Sequence, residues 1–297
     1  MGRRLAVVGL TLLVYLAVVG LFVATGASLA RGGGDGLGFG PRVAIVQIEG
    51  AILDVDDLVR ELRGYRDNAM VRAVVVRIDS PGGVVGPTQE LHQALRRIRA
   101  AGKPVVASLG AVAASGGYYV AVAADRIWAN PGTLTGSIGV IMQTANVEVL
   151  LKKVGVDYVV VKAGQFKDVG NFARAMTPEE RRVLQAMLDD VHAQFITAVA
   201  EGRKLDRGTV LQFSDGRIVS GSQAKDLRMV DALGGLEDAV NQAAQLAGLP
   251  VPPRVIQPRK RFSLSDLLQN RLGLGPASVL APALPLPVFK KPLYLMD

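Results

Sequence analysis

Short apolar runs rich in β-branched residues recur along this chain, separated by segments whose apolar positions follow helical spacing. "VAIVQIEG" (43–50), "AVVVRIDS" (73–80) and "PVVASLGA" (104–111) are each bounded by turn residues, and Asp56–Arg66 and Pro87–Ala101 lie between them. Strands that are apolar on both faces and alternate with helices predict an α/β domain built on a mainly parallel sheet. "VDYVVVKAG" (156–164) predicts a later strand. "TPEERRVLQAMLDDVHAQFITAVAEGR" (177–203) predicts a long helix, with Thr177 as N-cap, Pro178 in the first turn and acidic residues at the positive end of the dipole. From Pro250 onward the chain is Pro-rich and poorly patterned, which predicts a loosely ordered tail. No internal repeat is evident.

The N-terminal pattern differs from the rest. Leu5 to Ala30 carries no charged residue and is long enough to cross a hydrocarbon core of about 30 Å. "SLA" (28–30) would pass as a signal-peptidase cleavage site, but the apolar core from Leu5 to Val23 is longer than that of a cleaved signal, so an uncleaved anchor is expected. Arg3 and Arg4 precede the span, so the N-terminus is expected in the cytoplasm and the remainder on the far side of the cell membrane. The expected organisation is therefore an anchor at 1–30, a Gly-rich tether at 31–40, one catalytic-size domain at 41–249 and the tail at 250–297.

Composition narrows the chemistry. The chain has 297 residues, 49% of them hydrophobic, and no cysteine, which excludes disulfides, thiol nucleophiles and Cys-ligated metals. The net charge of +8 is spread along the sequence and aromatics make up only 5%, so no basic, aromatic-interleaved surface for nucleic acid is present. Attraction to anionic lipid is the simpler use of the charge.

One stretch breaks its own pattern. "AVAASGGYYVAVAAD" (111–125) is apolar nearly throughout, yet Ser115-Gly116-Gly117 interrupts it. Either Ser115 is a helix N-cap, or its hydroxyl is presented at a sharp turn to attack a substrate. In open α/β sheets ligands sit beyond the carboxyl ends of the strands, and "DSPGG" (79–83) and "AASGG" (113–117) both fall there. Paired glycines allow main-chain N–H groups to face an oxyanion. A serine nucleophile needs a base. His92 lies in "PTQELHQALRRIRAAG" among polar residues, which predicts exposure, and His192 sits in the long helix away from any turn motif. Lysine is the alternative, provided burial lowers its pKa. Lys162 and Lys167 in "KAGQFKDVGNFARAMTPEE" are the candidates, Lys167 on a loop beside Phe166.

"DSPGG", "AASGGYYVA", "NPGTLTGSIGVI", "AGQFKDV…RAMTPEER" and "DGRIVSGSQAKDLRMVDALGG" occur in the order that characterises the signal peptide peptidase A family, and the chain resembles its short, single-repeat form from about Val43 to Leu246. The resemblance implies a ClpP/crotonase-like fold of repeated ββα units in a spiral, preceded by one transmembrane helix. It implies a membrane-anchored serine endopeptidase that degrades hydrophobic peptides, including cleaved signal peptides, as a ring-like homo-oligomer without metal or cofactor. By the same resemblance Ser115 is the nucleophile, Lys167 the general base and Ser137 the hydroxyl that orients it. Gly82 and Gly83 correspond to the oxyanion-hole loop, with the N–H of Gly116 or of Ser115 as second donor. The long form of the family holds the equivalents of Ser115 and Lys167 on different copies of its domain, so in this chain they are expected to meet between subunits. Arg228 stands where the family usually has Gly. Two rival classes remain: an acyl-CoA enzyme of the same fold, which would use a carboxylate base, and a membrane-tethered scaffold without catalysis.

Overall fold

The computed structural model describes residues 15, 16, 18, 19, 40–258 and 293–295. It separates into two units, Met1–Gly40 and Pro41–Asp297. In the first, Tyr15, Leu16, Val18 and Val19 are helical, and the rest of the expected anchor and tether, apart from Gly40, lies outside the described residues. Among the described residues no helix is long and apolar enough to cross a membrane.

The second unit opens with strand β1 (Arg42–Glu49), helix α1 (Asp56–Asp67), β2 (Val71–Ser80) and the short β3 (Gly82–Val84). Helix α2 (Val85–Ala100), β4 (Val105–Ala114) and the one-turn helix α3 (Gly116–Ala121) follow, then β5 (Arg126–Ala129) and β6 (Leu134–Gly136). Beyond them lie α4 (Glu148–Lys153), α5 (Pro178–Arg203), α6 (Arg207–Leu211), β7 (Ile218–Ser220), α7 (Gly221–Asp226), β8 (Ala232–Leu233), α8 (Leu236–Leu246) and β9 (Val255–Ile256). The main sheet runs β7-β6-β4-β2-β1-β9, with β5 joining β4 to β8. All its pairings are parallel except β6 with β7.

Side-chain alternation makes the sheet apolar on both faces. Val43, Ile45, Ala73, Val75 and Val106 face Ala239, Val240, Ala243 and Ala244 of α8. Ala44, Val46, Ile48, Val74, Val76 and Ile78 point the other way, into the larger core with Leu62, Leu91, Leu95 and Phe195. That explains why these strands read as unbroken hydrophobic runs. Helix α5 begins where expected. Thr177 accepts from the Glu180 N–H at 3.2 Å, and the Glu180 carboxylate accepts from the Thr177 N–H at 2.9 Å, which closes a capping box.

Two expectations change. Residues 156–162 form no strand, although they hold a β-branched run. Val159 is 81% and Val161 96% exposed; β propensity yields a strand only where a neighbouring strand supplies hydrogen bonds and packing. In the stretch expected to be a loose tail, Val255 and Ile256 pair with Val43 and Ala44 at the edge of the main sheet. A tenth strand, β10 (Leu293–Leu295), forms a separate two-stranded antiparallel sheet with β3.

Candidate active site

β4 and β6 run in parallel register, Ala113 beside Thr135 and Ala114 beside Gly136. The next residue on each strand is a serine, Ser115 and Ser137. Both turn out of the sheet with left-handed backbone, φ 52° and φ 50°. Such conformations cost a non-glycine residue about 1–3 kcal/mol and persist only where the surroundings impose them. Here they do. The Ser115 N–H donates to Gly136 O at 2.8 Å and the Ser137 N–H to Arg217 O at 2.7 Å.

The side chain of Ser115 settles the N-cap question. Its Oγ makes no capping bond to α3. It is buried, and among the described residues it is the one buried side-chain polar atom without a hydrogen-bond partner. Leaving a buried hydroxyl unsatisfied costs about 1–3 kcal/mol, so this hydroxyl contributes nothing to the helix start and a good deal of instability. Held at a strained strand–helix turn, it has the geometry of a nucleophile elbow.

The glycine turn of β3 lies directly against it. A Cβ on Gly116 would sit 3.1 Å from Gly83 N and 3.2 Å from Gly82 Cα, a tight fit, and one on Gly83 would strike Ile52 O at 2.1 Å, so Gly83 admits no side chain. Counting main-chain donors then separates the candidates. The Gly82 N–H is taken by Ser80 Oγ at 3.1 Å, and that of Ser115 by Gly136 O. Gly116 occupies the first position of a helix, where an N–H has no intrahelical acceptor. Ile52 donates to Gly82 O at 2.9 Å and accepts from the Val84 N–H at 2.8 Å, so by strand alternation the N–H of Gly83 points the opposite way. Gly83, whose N–H is on the β10 side where Tyr294 pairs with it, and Gly116 are the donors to consider for an oxyanion; Gly82 and Ser115 shape the turn. Sequence reasoning passed over two further residues. Ser80 holds the Gly82 N–H, and Thr88 Oγ1, which donates to Val84 O at 2.9 Å, fixes the far end of β3. The Ser directly before "PGG" was the available signal, since serine hydroxyls bind nearby main chain at turns.

Neither histidine faces Ser115 as a base. His92 is 7% exposed rather than solvent-facing. It shares with Thr88, Leu91 and Leu95 the buried i, i+3, i+4, i+7 stripe of α2. Its ring packs edge-on to Tyr119 with centroids 5.0 Å apart, and burial, reinforced by Arg96, pushes its pKa down to about 4. His192 Nε2 lies 3.1 Å from Ile138 O and thereby braces the loop that carries Ser137.

The lysines are distinguished by their partners. Lys162 Nζ is bound to the Asp168 carboxylate and donates to Gln165 O at 2.9 Å. Lys167, exposed on the turn beside Asp168, has no side-chain partner among the described residues. Ser115 and Lys167 therefore make no hydrogen bond to each other within one copy of the chain. The loop bearing Lys167 is nonetheless well held. Arg174 Nε donates to Asp168 at 3.0 Å and Nη1 to Glu180 at 2.8 Å, and Nη2 bridges both carboxylates. The bond from Lys162, with Arg174 assisting, holds the Asp168 pKa at about 2. The Arg174 fork, with the Thr177 N–H, holds Glu180 at about 2.

Carboxylates whose pKa is depressed in the fold stabilise it above their unfolded pKa near 4, and that contribution disappears as pH falls through the folded value. Arg174→Ala should accordingly lower the melting temperature at neutral pH, with the gap from the parent closing between about pH 4 and pH 2. Melting curves across that range test it; a gap independent of pH would show that the guanidinium stabilises by packing alone.

Residues 97–250 match the family model described as Peptidase family S49. The chain belongs to peptidase family S49. The S49 match takes in Ser115, Ser137 and Lys167, whereas Gly82 and Gly83 precede it. Among relatives, the proposed protease slr0021 of Synechocystis sp. is 51% identical over 177 residues, which is 60% of this chain and 64% of that protein. Protease 4 of Salmonella typhi is 36% identical over 71% of this chain but only 35% of its own length. Serine protease SPPA, chloroplastic, of Arabidopsis thaliana is 32% identical over 76% of this chain and 33% of its own. This S49 chain thus spans less than two thirds of each of these three relatives. Arg228, the departure noted above, adopts φ 58° in the S49 chain, so the left-handed conformation is kept with a side chain in place of glycine.

Proposed function

We propose that this chain is a membrane-anchored serine endopeptidase that hydrolyses hydrophobic peptides, signal-peptide remnants among them, through a Ser115/Lys167 dyad. The observation that carries the proposal is the buried, unpartnered Oγ of Ser115 on a strained turn, with Gly116, the next residue, packed closely against the glycine turn of β3. In the first step Lys167 takes the Ser115 proton as Oγ bonds to the scissile carbonyl carbon. The N–H groups of Gly83 and Gly116 stabilise the oxyanion, and the C–N bond breaks as the lysine returns the proton to the leaving amine. Water, deprotonated by the same lysine, then hydrolyses the ester and restores Oγ–H. Ser137, next to the Ser115 turn, is assigned to orient the lysine.

The dyad is proposed to form between copies in a homo-oligomer of ClpP/crotonase-like spiral domains. Support comes from the exposed apolar run Val154, Val156, Tyr158, Val159 and Val161, which leads directly to the Lys167 loop and is the kind of surface a partner covers. Labelling with a fluorophosphonate and mass spectrometry of the adduct tests the assignment. A single adduct on Ser115 is expected. A folded chain that resists the reagent would reject the serine mechanism and favour an acyl-CoA enzyme or a scaffold.

A further inference from the structure

The main sheet has a second edge, where its parallel strands begin. A cavity of about 440 Å³ lies there, lined by the five cations Arg99, Lys103, Arg126, Arg203 and Lys204 and by two carboxylates, Asp125 and Asp231. Both carboxylates are already engaged. Asp125 accepts from Arg99 Nε at 2.7 Å and from the Val105 N–H at 2.9 Å. Asp231 accepts from Arg203 at 2.8 Å, from Arg126 at 3.1 Å and from the Ile127 N–H at 2.7 Å. Five cations against two carboxylates leave an excess of three positive charges around one cavity. Lys103 and Lys204 supply two of them. Lys103 Nζ donates to neutral carbonyls, Tyr65 O at 2.9 Å and Asn68 O at 2.6 Å. Burial lowers its pKa from the ordinary lysine value against the pull of Asp67, a carboxylate that Arg66 Nε holds at 2.7 Å. The Lys204 side chain, just past the last turn of α5, has no partner among the described residues.

We propose that this cavity binds the phosphate of an anionic glycerophospholipid, with Lys103 and Lys204 taking its charge. Ammonium groups and arginine forks around one space are the donors that suit phosphate oxygens. Leu246 lines the same cavity and is 42% exposed, which gives it an apolar side for the glycerol end of a lipid. Position favours a lipid over a free phosphate ester. β1, β2, β4 and β5 are parallel, so all of them start at one edge. The cavity belongs to that edge, because Pro104 leads into β4 and Arg126 opens β5. Arg42 opens β1 there too, and the expected tether and anchor precede it in sequence. Ser115 follows the far end of β4, a strand of 10 residues, so about 30 Å separate it from the cavity. A lipid held here leaves the serine open.

This inference rests on the proposed anchoring only for the choice of lipid, and nothing in it requires Ser115 to be a nucleophile. In the full chain held in a non-ionic detergent, dioctanoylphosphatidylglycerol should bind, measured by calorimetry, and added salt should weaken the binding. Lys103→Gln combined with Lys204→Asn should weaken it about tenfold or more, through loss of two charge-assisted contacts. Asparagine suits position 204 because the backbone there is left-handed, φ 54°. Turnover of a soluble peptide by the double variant should match that of the parent. Lys204→Glu, at an exposed position, should weaken lipid binding by itself, and Lys204→Arg should keep it. Glycerol phosphate and inorganic phosphate should bind at least about tenfold more weakly than the lipid, which adds apolar contact. Equal binding of these soluble anions would overturn the lipid assignment. Lipid binding that survives both the double variant and Lys204→Glu would belong to another part of the chain and overturn the site, as would no binding at all. Failure of Ser115 to take a fluorophosphonate, with lipid binding retained, would strike the peptidase reading alone.

Discussion

Replacing Ser115 with glycine should give a chain that is more stable than its parent and inactive. At φ 52° and ψ −118° the backbone of Ser115 lies where glycine is at ease and a side chain is strained by about 1–3 kcal/mol. The hydroxyl adds the cost of a buried, unsatisfied group, again about 1–3 kcal/mol. Glycine removes both and gives back only about 0.5–1 kcal/mol through the greater freedom of the unfolded chain. A net gain of at least about 1 kcal/mol is expected, visible as a higher melting temperature. Alanine should recover only the hydroxyl share. Both variants should lose peptide turnover by about 10⁴-fold or more, as serine peptidases do when stripped of their nucleophile. The alternative makes the opposite forecast: an N-cap replaced by alanine would cost about 0.5–2 kcal/mol and spare catalysis. Destabilised, active variants would return Ser115 to the status of a cap.

The second large effect concerns Lys167. Alanine and arginine at this position should be equally inactive, because guanidinium keeps its proton and cannot serve as a base. The two single variants, Ser115→Ala and Lys167→Ala, should then rescue each other. Refolded together in equal amounts, randomly assembled subunits would pair an intact serine with an intact lysine at roughly a quarter of head-to-tail interfaces. Recovery of about a quarter of parental turnover is the expected result. If co-assembled variants stay at the background of each alone, the dyad lies within one chain and the interfacial arrangement is wrong, though the Ser/Lys chemistry survives. The exposed run from Val154 to Val161 is what makes this arrangement physically attractive: it leaves apolar surface beside Lys167 that a single copy does not bury.

Features encoded by neighbours in sequence were legible beforehand. The Thr177 N-cap of α5 and the doubly apolar strands β1, β2 and β4 follow from local pattern, and they appear within a few residues of expectation. What depended on distant partners was not. The run at 156–161 has every strand-forming residue and no strand to pair with. Leu293–Leu295, set in a Pro-rich stretch, pairs with residues more distant in sequence than any local rule reaches. His92 was misplaced for a different reason: its immediate neighbours are polar, and only the three-and-four spacing to Thr88 and Leu95 shows that it turns inward. For the candidate site, the sequence nominated the glycines together but could not divide them. That division rests on which N–H groups Ser80 Oγ and Gly136 O already occupy. Composition alone offered both Lys162 and Lys167, and Asp168 holds the first.

Glu180 serves two masters, the capping box of α5 and the fork of Arg174. The start of a long helix and the shape of the lysine loop are consequently not independent degrees of freedom. Opening the loop far enough to swing Lys167 away would release Arg174, strip Glu180 of its charge partner and fray the first turn of α5 behind it. The loop and the helix start form one cooperative unit, stable or lost as a whole, so the lysine is kept in place by the nucleation of the helix that follows it.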